Sequence, residues 1–292
     1  MSTIKKVPAG AGAEWLLGAF ALLRKAPLAL GSLGLIWGLL SMLAVQVMAL
    51  NASVGMLLQL AMAIVAPLLF AGLLWAVSEV DQGRPALPAH LFRALRSEHS
   101  GSLLATLLPQ LAAAALLGFL LFAMIGAEGF QQLREVMTKL QETAAAGGQP
   151  DPDLMLSLPV GRLFLWMLLL FAGVIVVSLV TFVAVPDIVF GGSDAFTAMG
   201  NSLRACLHNL LAMLVFYALL FIAFLMMSFG IQLLSMMVQL VAGPTAGLWV
   251  SNLLLMAVLM PLMAGAVFCA WRQMLGGGAE TTTPAAPTHL EA

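Results

Sequence analysis

Apolar residues run almost unbroken through six stretches: Leu28–Leu50, Val54–Ser78, Leu103–Ile125, Leu163–Val185, Leu210–Gln232 and Thr245–Ala270. Each has about 20 residues or more, and at 1.5 Å per residue each covers the ~30 Å hydrocarbon core of a bilayer. No Asp, Glu, Lys, Arg or His falls inside any of them. The pattern predicts an all-α, polytopic transmembrane helix bundle of six spans. The fifth apolar run continues to Val241, which would make a helix of roughly 48 Å. The expectation divides it at Gln232 and lays Leu233–Val241 on the outer leaflet. The alternative is one long tilted span.

Between the spans, four segments have the 3.6-residue period of amphipathic helices. Trp15, Leu16, Ala19, Phe20, Leu22 and Leu23 share one face, opposite Glu14, Arg24 and Lys25. This reads as an interfacial helix with an aromatic anchor. Leu91, Phe92 and Leu95 form a second apolar face opposite His90, Arg93 and Arg96, with Pro85 and Pro88 at its start. A third helix should begin at the Ser193–Asp194 cap and carry the apolar stripe Phe196, Met199, Leu203 and Leu207, as an elbow lying on the membrane. The fourth, external to the spans, carries Phe130, Leu133, Met137 and Leu140, with Glu135 and Lys139 one turn apart.

Composition agrees with this pattern. The chain is 62% hydrophobic and only 9% charged, against about 25% charged in soluble domains. Net charge is −1, so there is no global footprint for nucleic acid. Cys206 and Cys269 read as free thiols. Nine of the twelve Lys and Arg residues fall on one side of the expected topology: Lys5, Lys6, Arg24, Lys25, Arg84, Arg93, Arg96, Arg204 and Arg272. Arg134, Lys139 and Arg162 fall on the other. The positive-inside rule then puts both termini in the cytoplasm. Glu14, Arg24 and Lys25 interrupt the first apolar run, so the N-terminus is expected to be retained rather than cleaved as a signal peptide. Residues 1–275 should form one integral membrane domain with an external amphipathic insertion at about 126–161. Within that insertion, Ala144–Asp153 reads as a linker. Residues 276–292, rich in Gly, Thr, Pro and Ala, should be a disordered tail.

Pro67-Leu68-Leu69-Phe70-Ala71-Gly72 parallels Pro261-Leu262-Met263-Ala264-Gly265, each preceding a Trp and a charged exit. This raises an internal repeat as an alternative to unrelated spans. Four groups of residues carry a further likeness: Val7-Pro8-Ala9 with Gly12 and Trp15; Pro67-Leu68 with Ala71-Gly72; Gly83-Arg84-Pro85 with Leu91-Phe92 and Leu95; and Asp194-Ala195-Phe196 through Asn201-Ser202 to Asn209. In these the chain resembles bacterial multi-pass inner-membrane proteins of the domain-of-unknown-function type. The resemblance covers about the first 210 residues. It implies a six-helix inner-membrane protein and carries over no catalytic or binding residues.

Candidate chemistry is sparse. The span interiors offer Gln46, Gln59, Gln110, Ser178, Thr181, Gln232 and Asn252. Of these, Gln46, Gln59, Gln110 and Asn252 are expected to make interhelical polar contacts, worth about 1 kcal/mol each. Without an ionisable residue in a span, ion-coupled transport is disfavoured. Asp81, His90, Glu98 and His99 have no recognisable metal-ligand spacing. Met226-Met227 and Met236-Met237 are adjacent pairs rather than spaced thioether ligands, so the nineteen methionines read as packing. No glycine-rich loop follows a strand, and no nucleophile–base set is apparent, so neither a cofactor nor an enzymatic activity is expected. Gly31, Gly34 and Gly38, and Ala112–Ala115 with Gly118, should allow close helix approach. Arg84, Arg93 and Arg96 are the candidate contacts for anionic lipid. The expected role is structural, envelope-maintaining or partner- and lipid-binding, with membrane lipids, a homo-oligomer or another membrane protein as partners. A carrier or flippase for a lipid or apolar solute is the alternative.

Overall fold

The computed structural model of the chain describes residues 4–145, 147 and 159–276. Most of the expected linker and all of the tail beyond Gly276 lie outside the described residues. The described chain is helical, without strands. In order it forms α1 (Ala11–Lys25), α2 (Pro27–Leu50), α3 (Ala52–Asp81), a 3-10 helix (Pro88–Arg96), α4 (Ser100–Ala105) and α5 (Leu108–Ala145). These are followed by α6 (Val160–Thr181), α7 (Ala184–Gly191), α8 (Ala195–His208), α9 (Leu210–Ala242) and α10 (Pro244–Met274). Six helical stretches, containing α2, α3, α5, α6, α9 and α10, are long and apolar enough to cross a membrane. The protein is therefore an all-α, multi-pass integral membrane protein.

Local chemistry sets the boundaries. The Asn51 side chain accepts a hydrogen bond from Val54 N at 3.1 Å, which caps α3 and turns the chain back from α2. Gly243, at φ +87°, occupies a backbone conformation open mainly to glycine, and Pro244 follows at the start of α10. In α5 the helical path breaks at Gly126, at φ +67°, where the third apolar run meets the amphipathic segment that follows it. Glu135 and Lys139 pair beyond that break at 2.8 Å.

Two of the expected spans contain a helix break. The third apolar stretch runs from Ser100, with Leu103 in the short helix α4 and α5 beginning at Leu108. Pro109 supplies the first turn of α5, where its missing N–H is tolerated. The fourth stretch reaches Gly191 but breaks after Thr181, with Val185 in α7 and Pro186 in its first turn. The fifth span differs more. It is one helix to Ala242, so Leu233–Val241 does not separate as an interfacial segment. Two residues of the polar stripe that suggested a break, Ser235 and Gln239, are paired inside the protein, while Gln232 is exposed. Ser235 Oγ donates to Gly247 O at 2.7 Å, and Gln239 Nε2 donates to Ser235 Oγ at 3.2 Å. With those groups paired to the next helix, nothing interrupts the backbone ladder before Gly243.

The described residues divide into two compact units, those of 4–106 with 181–276 and those between 107 and 180. In the first unit α10 is central, packing against α1, α2, α3 and α9. The small residues read from sequence make these contacts close. A side-chain carbon at Gly34 would collide with the Met256 and Ala257 backbone, and one at Gly38 would stand 3.0 Å from Met256 Cβ. The two Pro…Gly segments also serve alike. Gly72 of α3 sits under the carbonyls of His90 and Leu91, while Gly265 of α10 sits under Ala19 of α1. In the second unit Trp166 Nε1 donates to Leu117 O at 2.9 Å and Arg162 Nη1 to Met124 O at 3.0 Å. Ala112, Ala114, Ala115 and Gly118 are exposed there. Nothing lies within 4 Å of a side-chain carbon placed at Gly118, so this stripe does not serve close packing within the unit.

Candidate functional site

The charged residues of the first unit gather at one end, and both ends of the described chain meet there. Lys5 N donates to Met274 O at 2.9 Å. Asn209, 3% exposed, ties the N-terminal segment down. Its Oδ1 accepts from Val7 N at 2.8 Å, and its Nδ2 donates to the carbonyls of Lys5 and Ala205 at 3.0 and 2.9 Å. The arrangement satisfies backbone groups that an irregular segment leaves open.

Helix α1 does not present its aromatic residue to lipid. Trp15 is fully buried, with ring centroids 6.3 Å from Phe182 and 5.9 Å from Phe216. Its Nε1 donates to Gln273 Oε1 at 2.7 Å. Leu16, Ala19 and Leu22 are buried with it, while Phe20 and Leu23 are half-buried. The apolar face is the expected one, but its partner is protein. A helix period shows that one side is apolar, not whether lipid or protein covers it.

The segment after α3 is a 3-10 helix, and its tighter period changes which residues face inward. Leu91 and Ala94, three apart, are fully buried, whereas Phe92 and Leu95 are exposed. Arg93 and Arg96 are exposed beside them, and the Arg93 guanidinium lies 4.9 Å from the Trp75 ring centroid. These side chains, with Glu98 and His99, line an open cavity of about 1110 Å³. Arg84 is already engaged in an ion pair with Glu79. Hydrogen bonding to that carboxylate raises the Arg84 pKa further. The three arginines thus divide into one structural pair and two open cations.

The expected stripe of α8 is divided between protein and the outside. Ala195, Ala198, Met199, Ser202, Ala205 and Cys206 are buried. Phe196 and Leu207 are exposed, and Leu203 is half-buried. Small residues let α8 approach its neighbours, and its larger side chains are left to face outward, as on an interfacial helix. Asp194 starts the helix by accepting from Thr197 N at 3.2 Å.

A second open cavity, about 1390 Å³, lies where α7, α8 and the end of α10 meet the N-terminal segment. At its wall Asp187 is only 2% exposed. Its Oδ2 accepts from Asn201 Nδ2 at 3.0 Å, and its Oδ1 from Trp271 Nε1 at a long 3.5 Å. Arg272, on the same wall, is paired with Asp81. Sequence reasoning names Asp187 only as a carboxylate at a span boundary, like Glu79, that could line a cavity, and not among the candidate binding residues. The available signal is a single acid between Pro186 and the apolar Ile188-Val189-Phe190.

None of the four amides proposed as interhelical contacts is fully buried. Gln59 and Gln110 are exposed, and Gln46 and Asn252 are half-buried. No group of three or more His, Cys, Asp or Glu side chains that could hold a metal occurs among the described residues. No family model, curated protein or solved structure matches the chain.

Proposed function

We propose that this is a non-enzymatic integral protein of a bacterial inner membrane, with both termini cytoplasmic, that binds anionic lipid headgroups along its basic end. The resemblance to multi-pass inner-membrane proteins and the nine-to-three Lys and Arg bias support the location and orientation. The observation that carries the binding role is the 3-10 helix. It sets exposed Phe92 and Leu95 beside exposed Arg93 and Arg96. Apolar side chains that enter the acyl boundary next to cations at headgroup level form a lipid-contact surface. A structural or partner-binding role in the envelope, as a homo-oligomer or with another membrane protein, is compatible with the same surface.

Each basic residue near an anionic surface contributes about 1 kcal/mol. Replacing Arg84, Arg93 and Arg96 together by Gln should therefore lower the anionic lipid that co-purifies in detergent, with insertion preserved. The loss should come mostly from Arg93 and Arg96, since Arg84 is paired with Glu79. Unchanged anionic lipid in the triple variant removes this reading. A carrier or flippase is the second reading, favoured by the open cavity beside the buried Asp187. Proton or sodium flux in liposomes that disappears in Asp187→Asn or Glu79→Gln would replace the first reading with it.

A further inference from the structure

Asp187 is a buried carboxylate with only two side-chain donors and no ion pair among the described residues. A carboxylate 2% exposed is costly unless a cation or several donors compensate it. The ion pairs among the described residues are Arg84–Glu79, Lys139–Glu135 and Arg272–Asp81, and none involves Asp187. Two side-chain donors reach it, one of them at 3.5 Å, whereas an ionised carboxylate offers about four acceptor sites. The carboxylate therefore lines an open cavity with acceptor capacity to spare. Lys5 and Arg204 line the same cavity. Both are exposed and without an acidic partner among the described residues. Phe196, 71% exposed, lies at the cavity wall.

A buried anion, two free cations and an outward aromatic side chain select a particular ligand chemistry. A simple anion would meet Asp187, and a simple cation would meet Lys5 and Arg204. A group carrying a primary ammonium next to a phosphodiester satisfies both, with its ammonium on Asp187 and its phosphate on Lys5 and Arg204. An attached acyl chain would pass along Phe196. We propose that this cavity binds the zwitterionic headgroup of an ethanolamine phospholipid. The site is separate from the arginines of the 3-10 helix and takes a different headgroup. It rests on the basic end lying at headgroup level, as in the function proposed above.

The test uses purified full-length protein in detergent and native mass spectrometry with dioctanoyl lipids. Phosphatidylethanolamine, phosphatidylcholine and phosphatidylglycerol are compared. Phosphatidylcholine keeps the charge but has no N–H to donate, and phosphatidylglycerol keeps the phosphate but has no ammonium. A charge-assisted hydrogen bond to a carboxylate should make phosphatidylethanolamine bind about tenfold more tightly than phosphatidylcholine, while phosphatidylglycerol reports the 3-10 helix. Asp187→Asn should bring the ethanolamine and choline lipids within about twofold of one another, and Arg204→Gln should weaken both alike. If Asp187→Asn does not fold, the wild-type comparison decides alone, because equal binding of the ethanolamine and choline lipids overturns the site. The Arg84, Arg93 and Arg96 triple Gln variant should keep the ethanolamine preference while losing phosphatidylglycerol. If it loses the preference, the site belongs to the 3-10 helix and the cavity assignment fails. Glycerophosphoethanolamine should not displace the lipid at equal concentration. Equal competition would make the ligand a soluble phosphoethanolamine compound and would overturn the lipid assignment.

Discussion

Cys206 shows how burial alone sets the behaviour of a reactive residue. It lies on the inward face of α8 and is fully buried. Burial pushes its thiol up to about 12, against a weaker opposing hydrogen bond with Ser202. A thiol with so high a pKa is almost entirely protonated near neutral pH, and the thiolate is the nucleophile. In a Cys269→Ser background, maleimide should therefore modify Cys206 very slowly in the native protein and quickly after denaturation. Fast native labelling at neutral pH would show that α8 does not hold this face inward. Trp15 and Asn209 follow the same logic. Each has a polar atom and sits buried with that atom paired, so its position is fixed by a partner more than 190 residues away in sequence.

At the scale of elements, a cap links α8 to pH. Hydrogen bonding from the Thr197 hydroxyl, and then from its backbone N–H, holds the Asp194 carboxyl below the usual carboxylate range. A depressed folded pKa means that the stabilisation is fully present above the ordinary Asp value and is lost as pH falls through the folded value. The start of α8 should loosen on acidification, read as increased mobility of a nitroxide placed on Phe196→Cys in a cysteine-free background. Asparagine at this position still caps but does not titrate, so adding Asp194→Asn should remove that acid response. An identical acid profile with and without the Asp194→Asn substitution would refute the coupling. The 3-10 helix makes a related point, since its tighter period buries Leu91 with Ala94 and leaves Phe92 and Leu95 outside.

For the whole molecule, six spans and the bond from Lys5 to Met274 require both ends of the described chain to lie on one side. In the proposed orientation, argued from the Lys and Arg bias, that side is the cytoplasm. In intact cells, with both native cysteines replaced, an impermeant maleimide should label Glu142→Cys and should leave Glu98→Cys unlabelled until permeabilisation. The opposite pattern would invert the protein and with it the leaflet whose lipids the basic end meets.

Hydropathy by itself determined that the chain is helical, crosses the membrane six times and breaks near Gly126 and Gly243. A bilayer requires every spanning backbone group to bond within its own helix, and that requirement is visible as length and apolarity in any sequence. The Gly34 and Gly38 contacts and the Asp194 cap were legible for a similar reason, because close approach and capping each admit few residue types. The partner of each apolar face was decided only in three dimensions. Trp15 faces Phe182 and Phe216 instead of lipid, α8 turns its small residues inward, and α9 runs on because Ser235 meets Gly247. In a membrane protein, lipid and protein neighbours are equally apolar, so periodicity cannot tell them apart. The cavity beside Asp187 joins residues from Lys5 to Trp271. Its chemistry exists only where four distant segments of the chain are packed together.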